Sequence, residues 1–385
     1  MIPITTLGIA ALCAATGART DKASIDPVPP ALIEPASCCV DATKGDDAND
    51  GSADRPFRTI QKAADAMREP GSICTIRAGV YRETVRFPNS GDPDRPLLFQ
   101  AEPGAILSAS EPLTRWIHST DDPGPTGPRA KDLYFAEVPA NPLNAKGQIA
   151  VFVGEKIAPE ARWPNDNGSY PWPTYAYCSA AGYDKDGKNG WIADTDLPDR
   201  PDGYWEGCRL IILAGHGWQG RDLPILRYVA AEKKIVTDFE NNKPGAPGNA
   251  TLRGPIPKNA MGRGPFEGNE YFIVPDIARL PDPANWIRNE CDAPNEWAYL
   301  PIEGHPAKGR LYFKTAGGTP KNVSLRLRDV GLDFSTARHL RVSGLQLLGC
   351  RPVFGPAYRD IRLEGMKMTY VDHQRTPGGE GIFID

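Results

Sequence analysis

The chain has 385 residues with 44 Lys and Arg, 48 Asp and Glu and a formal net charge of −4, too small to imply a partner, and its scattered Lys and Arg do not resemble a basic nucleic-acid surface. No apolar run reaches the length of a transmembrane helix. Gly and Pro number 39 each, which suits a turn-rich β protein, while hydrophobic runs spread along the whole chain argue against disorder.

Residues 4–15 form a short apolar stretch, and Thr16-Gly17-Ala18 offers a small-residue cleavage site. Residues 1–20 therefore read as a secretory signal, although a positive n-region is missing, and the expected location is periplasmic or extracellular. Leu12 stands before Cys13, which disfavours lipidation. Residues 21–37 carry Pro27, Pro29, Pro30 and Pro35 and read as an extended linker. Loss of Cys13 with the signal would leave seven of the eight cysteines, so at least one stays unpaired within the chain. No CxxC spacing occurs, which argues against a zinc site. Buried thiols with one or two disulfides are the expectation.

Residues 39–42 read as a short strand. The acidic loop from Gly45 to Gly51 looks like a calcium loop, but Ala48 occupies a needed ligand position. It reads as a solvated turn, and no metal or cofactor is assigned. An amphipathic helix follows over 60–67, with Ile60, Ala63, Ala64 and Met67 on one face and Pro70-Gly71 ending it. One helix ahead of a β solenoid has a physical role, which is to cover the open end of the first coil. Strands resume at 73–77, 80–85, 97–101 and 106–107. Residues 113–320 lose any fixed step and are rich in Trp, Tyr, Pro and Gly, so they read as an inserted β-rich domain. The solenoid is expected to return with Leu325/Leu327 and Leu332/Phe334.

Near the C-terminus the chain repeats itself. Residues 339–347 align without a gap on 360–368, a step of 21 residues. Leu340 and Val342 share one face, and so do Leu345 and Leu347, but the phase slips by one at Ser343-Gly344. Such a slip flips side chains to the other face unless the chain bends at the glycine. Ile361/Leu363 and Met366/Met368 slip identically around Gly365. Each unit therefore reads as two short strands joined at a corner.

Val40-Asp41-Ala42, the Asn49-Asp50-Gly51 loop, residues 55–63 and residues 78–83 resemble the N-terminal segment of secreted right-handed parallel β-helix proteins. That group includes polysaccharide lyases, several glycoside hydrolases and uronate epimerases. Residues 151–156 leading to 161–165, and 269–272 running through Trp286 to 309–313, are similar to a subgroup with an inserted β-domain. The resemblance implies an all-β fold: a right-handed parallel β-helix with an N-terminal capping helix over 38–112, the insertion over 113–320, and further coils over 321–385. It is specific for fold and poor for reaction, because the fold hosts many chemistries.

Gly331-Leu332-Asp333-Phe334 resembles Gly381-Ile382-Phe383-Ile384 at an offset of 50, where two plain steps give 42. The extra residues fall in 372–380, and a loop that leaves a regular scaffold is where sites are built. It carries Asp372, His373, Arg375 and Glu380 as catalytic candidates. Elimination on a uronate polymer needs a base and a cation; hydrolysis needs two carboxylates. These four serve parts of either scheme, and an ordinary solvated turn is the competing reading. A second cluster holds Arg162, Trp163, Tyr170, Trp172, Tyr175 and Tyr177. Aromatic rings stack on sugar faces and Arg forks onto carboxylates, but the same residues also fill small β cores. His216, between Gly215 and Gly217, is a further site candidate.

The expectation is thus an exported, monomeric, carbohydrate-active β-helix protein acting on acidic or branched polysaccharide. The competing class is a non-catalytic adhesin or polysaccharide-binding surface protein. Asp385 falls inside a strand pattern, so further coils, and part of any active site, are expected beyond it.

Overall fold

The computed structural model describes residues 37–121, 130–140, 149–166, 174–185, 189–214, 219–238 and 267–370. The protein is mostly β with two short α-helices among these residues. Three parallel sheets, here A, B and C, receive successive strands in rotation. Ser37–Val40 forms the outer edge of sheet A. The first turn then places Ile73–Ile76 in A, Gly79–Tyr81 in B and Val85–Arg86 in C. The second places Leu97–Ala101 in A and Ala105–Ser108 in B. There the chain departs, and it re-enters sheet C only at Val330–Asp333. Arg338–Ser343, Gln346–Leu348 and Arg351–Val353 complete a third turn. Arg359–Glu364 and Lys367–Thr369 begin a fourth.

The 21-residue step is real in space. Leu340 pairs with Ile361 and Val342 with Leu363, all parallel. Both corner glycines take the left-handed backbone, Gly344 with φ +72° and Gly365 with φ +59°. A Cβ on Gly344 would stand 2.7 Å from the Ala101 carbonyl oxygen. Leu97, Phe99, Leu340, Val342, Leu345 and Leu347 fill the interior. Phe87, Phe334 and Phe354 stack along one corner with ring centroids 4.8 and 5.4 Å apart.

The expected capping helix is α1, Ile60–Ala66. Thr59 caps it by accepting from the Lys62 amide. Glu83 accepts from the Ile60 and Gln61 amides, two donors that a helix start leaves open. Ile60, Ala63, Ala64 and Met67 are all buried in the same core as the coils, and the helix packs on Ser37–Val40 and Val85–Arg86. The acidic loop before it commits its carboxylates to backbone amides: Asp46 to Ala48, Asp50 to Ser52, and Asp47 to Arg58 and Thr59.

The chain between the two visits to the coils is built from antiparallel sheets. Ser110–Pro112 pairs with Val323–Arg326, which pairs with Val151–Val153 and through it with Lys156–Ile157. A second sheet holds Ile117–His118, Leu133–Pro139, Lys308–Lys314 and Trp297–Pro301. A seven-stranded sheet spans residues 176 to 274, and α2 (Pro283–Glu290), capped by Asp282, packs on its core. Leu325 departs from the expectation that it opens a new coil. It packs in an antiparallel cluster with Leu327 against it, and parallel pairing resumes at Val330. A Leu-x-Leu pattern encodes a half-buried strand, not the direction of its partner. No helix among the described residues is long and apolar enough to cross a membrane.

Candidate functional site

One corner of the coils concentrates the irregular features. It lies where the chain passes from sheet B to sheet C. In the first turn it is Arg82-Glu83-Thr84, between Gly79–Tyr81 and Val85–Arg86. In the second it releases everything from Ala109 to Asp329. In the third it closes tightly through Gly349 (φ +70°) and Cys350, whose thiol donates to the Leu107 carbonyl. The fourth turn reaches this corner at Tyr370, the last described residue of that turn.

Charged pairs tie the departing and returning strands to the coils. Asp329 accepts from Arg326 Nη2 at 2.6 Å and from Arg351 Nε at 3.0 Å. Arg328 donates to Glu111. Arg82 donates to the Ser110 carbonyl, and burial lowers its pKa, opposed by the nearby Glu111. Ser108, Ser110 and Ser324 join hydroxyls at 2.9 Å each. Beside this network, an open groove of about 610 Å³ is lined by Gln61, Thr84, Arg86, Arg328, Asp329 and Val330.

Further along the stack, the hairpin of Val151–Val153 and Lys156–Ile157 lies against sheet B. Phe152, Ile157, Ile106, Leu348 and Tyr370 form one apolar cluster, with the Phe152 and Tyr370 rings 5.7 Å apart. Gln346 Nε2 donates to Glu155 at 2.9 Å, and Lys367 stands 4.0 Å from the same carboxylate. Tyr370, the last described residue of this turn, is therefore in contact with the antiparallel part.

Of the expected site residues, Asp372, His373, Arg375, Glu380, His216, Tyr170 and Trp172 lie outside the described residues. Arg162 and Trp163 are described, and their geometry favours packing over a sugar-binding wall. Arg162 is buried, donates Nε to the Pro164 carbonyl at 3.0 Å and Nη2 to the Thr174 carbonyl, and lies 4.3 Å from the centroid of Phe272. Burial lowers its pKa, with Asp166 opposing. A guanidinium committed to backbone carbonyls is not a free fork for a carboxylate. Trp163 turns toward Trp205 and Tyr271 in the core, with centroids 6.5 and 5.8 Å away. Tyr177 is 59% exposed, its hydroxyl donating to Glu270 at 3.2 Å.

Sequence reading missed two buried acids in this part. Glu290 holds Arg200 at 2.8 Å and Tyr204 at 2.7 Å, and burial raises its pKa. Glu296 is fully buried and pushed up to about 8 by burial. Its Oε2 accepts the Asp292 and Ala293 amides, while Oε1 has no partner. Neither is open to a substrate, and nothing in the local sequence distinguishes them from surface glutamates.

No family model matches the chain, and no curated protein matches it. A solved structure titled "Glycoside hydrolase" is similar at a TM-score of 0.50 and 15% identity, covering 81% of this chain and 50% of that one. A second, "The complex structure of XylC with xylose", aligns at a TM-score of 0.34 and 15% identity over 81% of this chain and 35% of that one, too loose to constrain the fold. The chain thus spans about half the length of the first.

Proposed function

We propose that this chain is a right-handed parallel β-helix carrying an inserted β-domain, and that it is an exported carbohydrate-active protein acting on acidic or branched polysaccharide. The three parallel sheets filled in rotation support the first part, and the signal-like residues 1–20 support export. The name of the structural neighbour favours hydrolysis over elimination as the reaction. One observation supports the reading that the site lies at this corner: the corner that releases the antiparallel part is the one the chain has reached at Tyr370, where that ring packs on Phe152. Residues 372–380 continue from there. In this reading Asp372 and Glu380 supply the two carboxylates, one as acid and one as base or nucleophile. His373 and Arg375 orient the sugar and its carboxylate. The inserted domain forms the opposite wall.

The test incubates the full-length protein with pectin, alginate and branched xylans. Reducing ends released without ultraviolet absorbance indicate hydrolysis, and Asp372→Asn and Glu380→Gln should each abolish the release. Absorbance from an unsaturated uronate would replace hydrolysis by elimination. Retained binding with no product would replace the enzyme by a binding protein. That last outcome has a specific motive: the described carboxylates Asp329 and Glu111 at this corner are held by arginines.

A further inference from the structure

We propose that Cys38 and Cys74 are a disulfide-forming pair that staples the terminal strand of sheet A to its neighbour when the protein meets an oxidising compartment. Where this happens rests on the export reading; whether it can happen rests on the fold alone.

Ser37–Val40 is the outermost strand of sheet A: it pairs with Ile73–Ile76 on one side, while on the other Cys39 bonds the Gly51 and Phe57 backbones. The parallel register sets Cys38 opposite Cys74 and Cys39 opposite Thr75. Register partners on parallel neighbours point to the same face, with backbones roughly 4.8 Å apart. That separation lies inside the roughly 4.4–6.8 Å window between Cα atoms that a disulfide spans. Cys74 is fully buried in the coil core, and Cys38 packs against the same core. Cys39, one residue further, belongs to the other face. All three are free thiols in this structure. The adjacent Cys74 thiol lowers the pKa of Cys38, opposed by burial, while Cys38 and then burial raise that of Cys74. Cys38 is half-buried and Cys74 fully buried, so Cys38 is the thiol that an external disulfide reaches first.

The chemistry is thiol–disulfide exchange with an external disulfide, such as oxidised glutathione or a protein disulfide. The Cys38 thiolate attacks one sulfur of that disulfide and expels the other as a thiol. The Cys74 sulfur then attacks Cys38 Sγ and expels the second thiol. Two protons and two electrons pass from the pair to the external disulfide, which leaves as two thiols. The closed loop contains all of α1, so one bond ties the cap and the terminal strand together. A terminal strand so tied cannot peel away from Ile73–Ile76 or present a frayed end to a protease.

Equilibration of the purified full chain with oxidised and with reduced glutathione tests the geometry independently of export. In the oxidised buffer a tryptic fragment ending at Lys44 should be linked to fragment 69–77, lighter by two hydrogen masses than the separate pair. Cys38 and Cys39 share the first fragment, so variants assign the bond. The link should persist in Cys39→Ser and vanish in both Cys38→Ser and Cys38→Ala, each checked for unchanged circular dichroism. Proteolytic nicking between residues 38 and 74 should slow in the oxidised form. A link surviving in the Cys38 variants, or full alkylation of Cys38 and Cys74 after oxidation, would overturn the proposal. Recovery of these thiols reduced from cells, with ready linkage in the oxidised buffer, would overturn export and leave the pair intact.

Discussion

Replacing Glu296 by Gln should remove a large part of the pH dependence of stability. Glu296 is fully buried, and burial pushes its carboxyl from 4.5 to about 8. Below pH 4.5 the folded and unfolded chains both hold this proton. Between 4.5 and about 8 the unfolded chain has released it and the folded chain keeps it, so rising pH favours unfolding. The slope is about 1.4 kcal/mol per pH unit, which over that window removes about 4–5 kcal/mol. Above pH 8 both forms are ionised and the slope disappears. Glutamine keeps the acceptor facing the Asp292 and Ala293 amides, and its amide nitrogen replaces an oxygen that has no partner. It cannot titrate. Urea unfolding followed by tryptophan fluorescence from pH 4.5 to 9 gives the comparison. Glu83 and Glu290 are also raised, mainly by burial, but they are common to both proteins, so the difference isolates Glu296. The two proteins should be close at pH 4.5, with the variant more stable by about 4 kcal/mol at pH 8.5. A wild-type-minus-variant difference that stays constant across this range would refute the reasoning.

Two further changes probe the coils. Met67→Asp places an unpaired carboxylate where a 3% exposed side chain packs under the cap, and it should cost about 2–4 kcal/mol in chemical denaturation; an unchanged midpoint would remove the helix from its capping role. Gly344→Ala forces a Cβ against the Ala101 carbonyl at φ +72° and should cost about 1–3 kcal/mol. Gly154→Ala, with φ +63° but nothing within 4 Å, should cost less, and equal losses would show that the close approach is not what matters.

The candidate site was only partly readable from the residues. Residues 372–380 were expected to leave the 21-residue step, and they lie outside the described residues. Arg162 and Trp163 stood out for their types, yet a buried arginine on backbone carbonyls and a core tryptophan have the same letters as a sugar-binding wall. The Asp329 network went unread although its partners are near in sequence, Arg326 three residues before it and Arg351 about one coil after it, because charged residues at these spacings look like ordinary surface groups.

The sequence by itself determined what is local. Helix α1 follows from apolar residues at 60, 63, 64 and 67 with Thr59 before them. The corners follow from Gly344 and Gly365, and the pairing of Leu340 with Ile361 follows from a step of one coil. Each of these is written within about twenty residues, where side-chain period and backbone φ act directly. Only the tertiary structure decided that Leu340 also stacks on Leu97, that Leu325 pairs antiparallel while Leu332 joins sheet C, and that Phe152 reaches Tyr370. Those contacts join segments far apart in the chain, across all or much of the antiparallel part. An alternating strand carries a buried face but no mark of its distant partner, so which edge it meets is settled by closing the loop and burying both faces together.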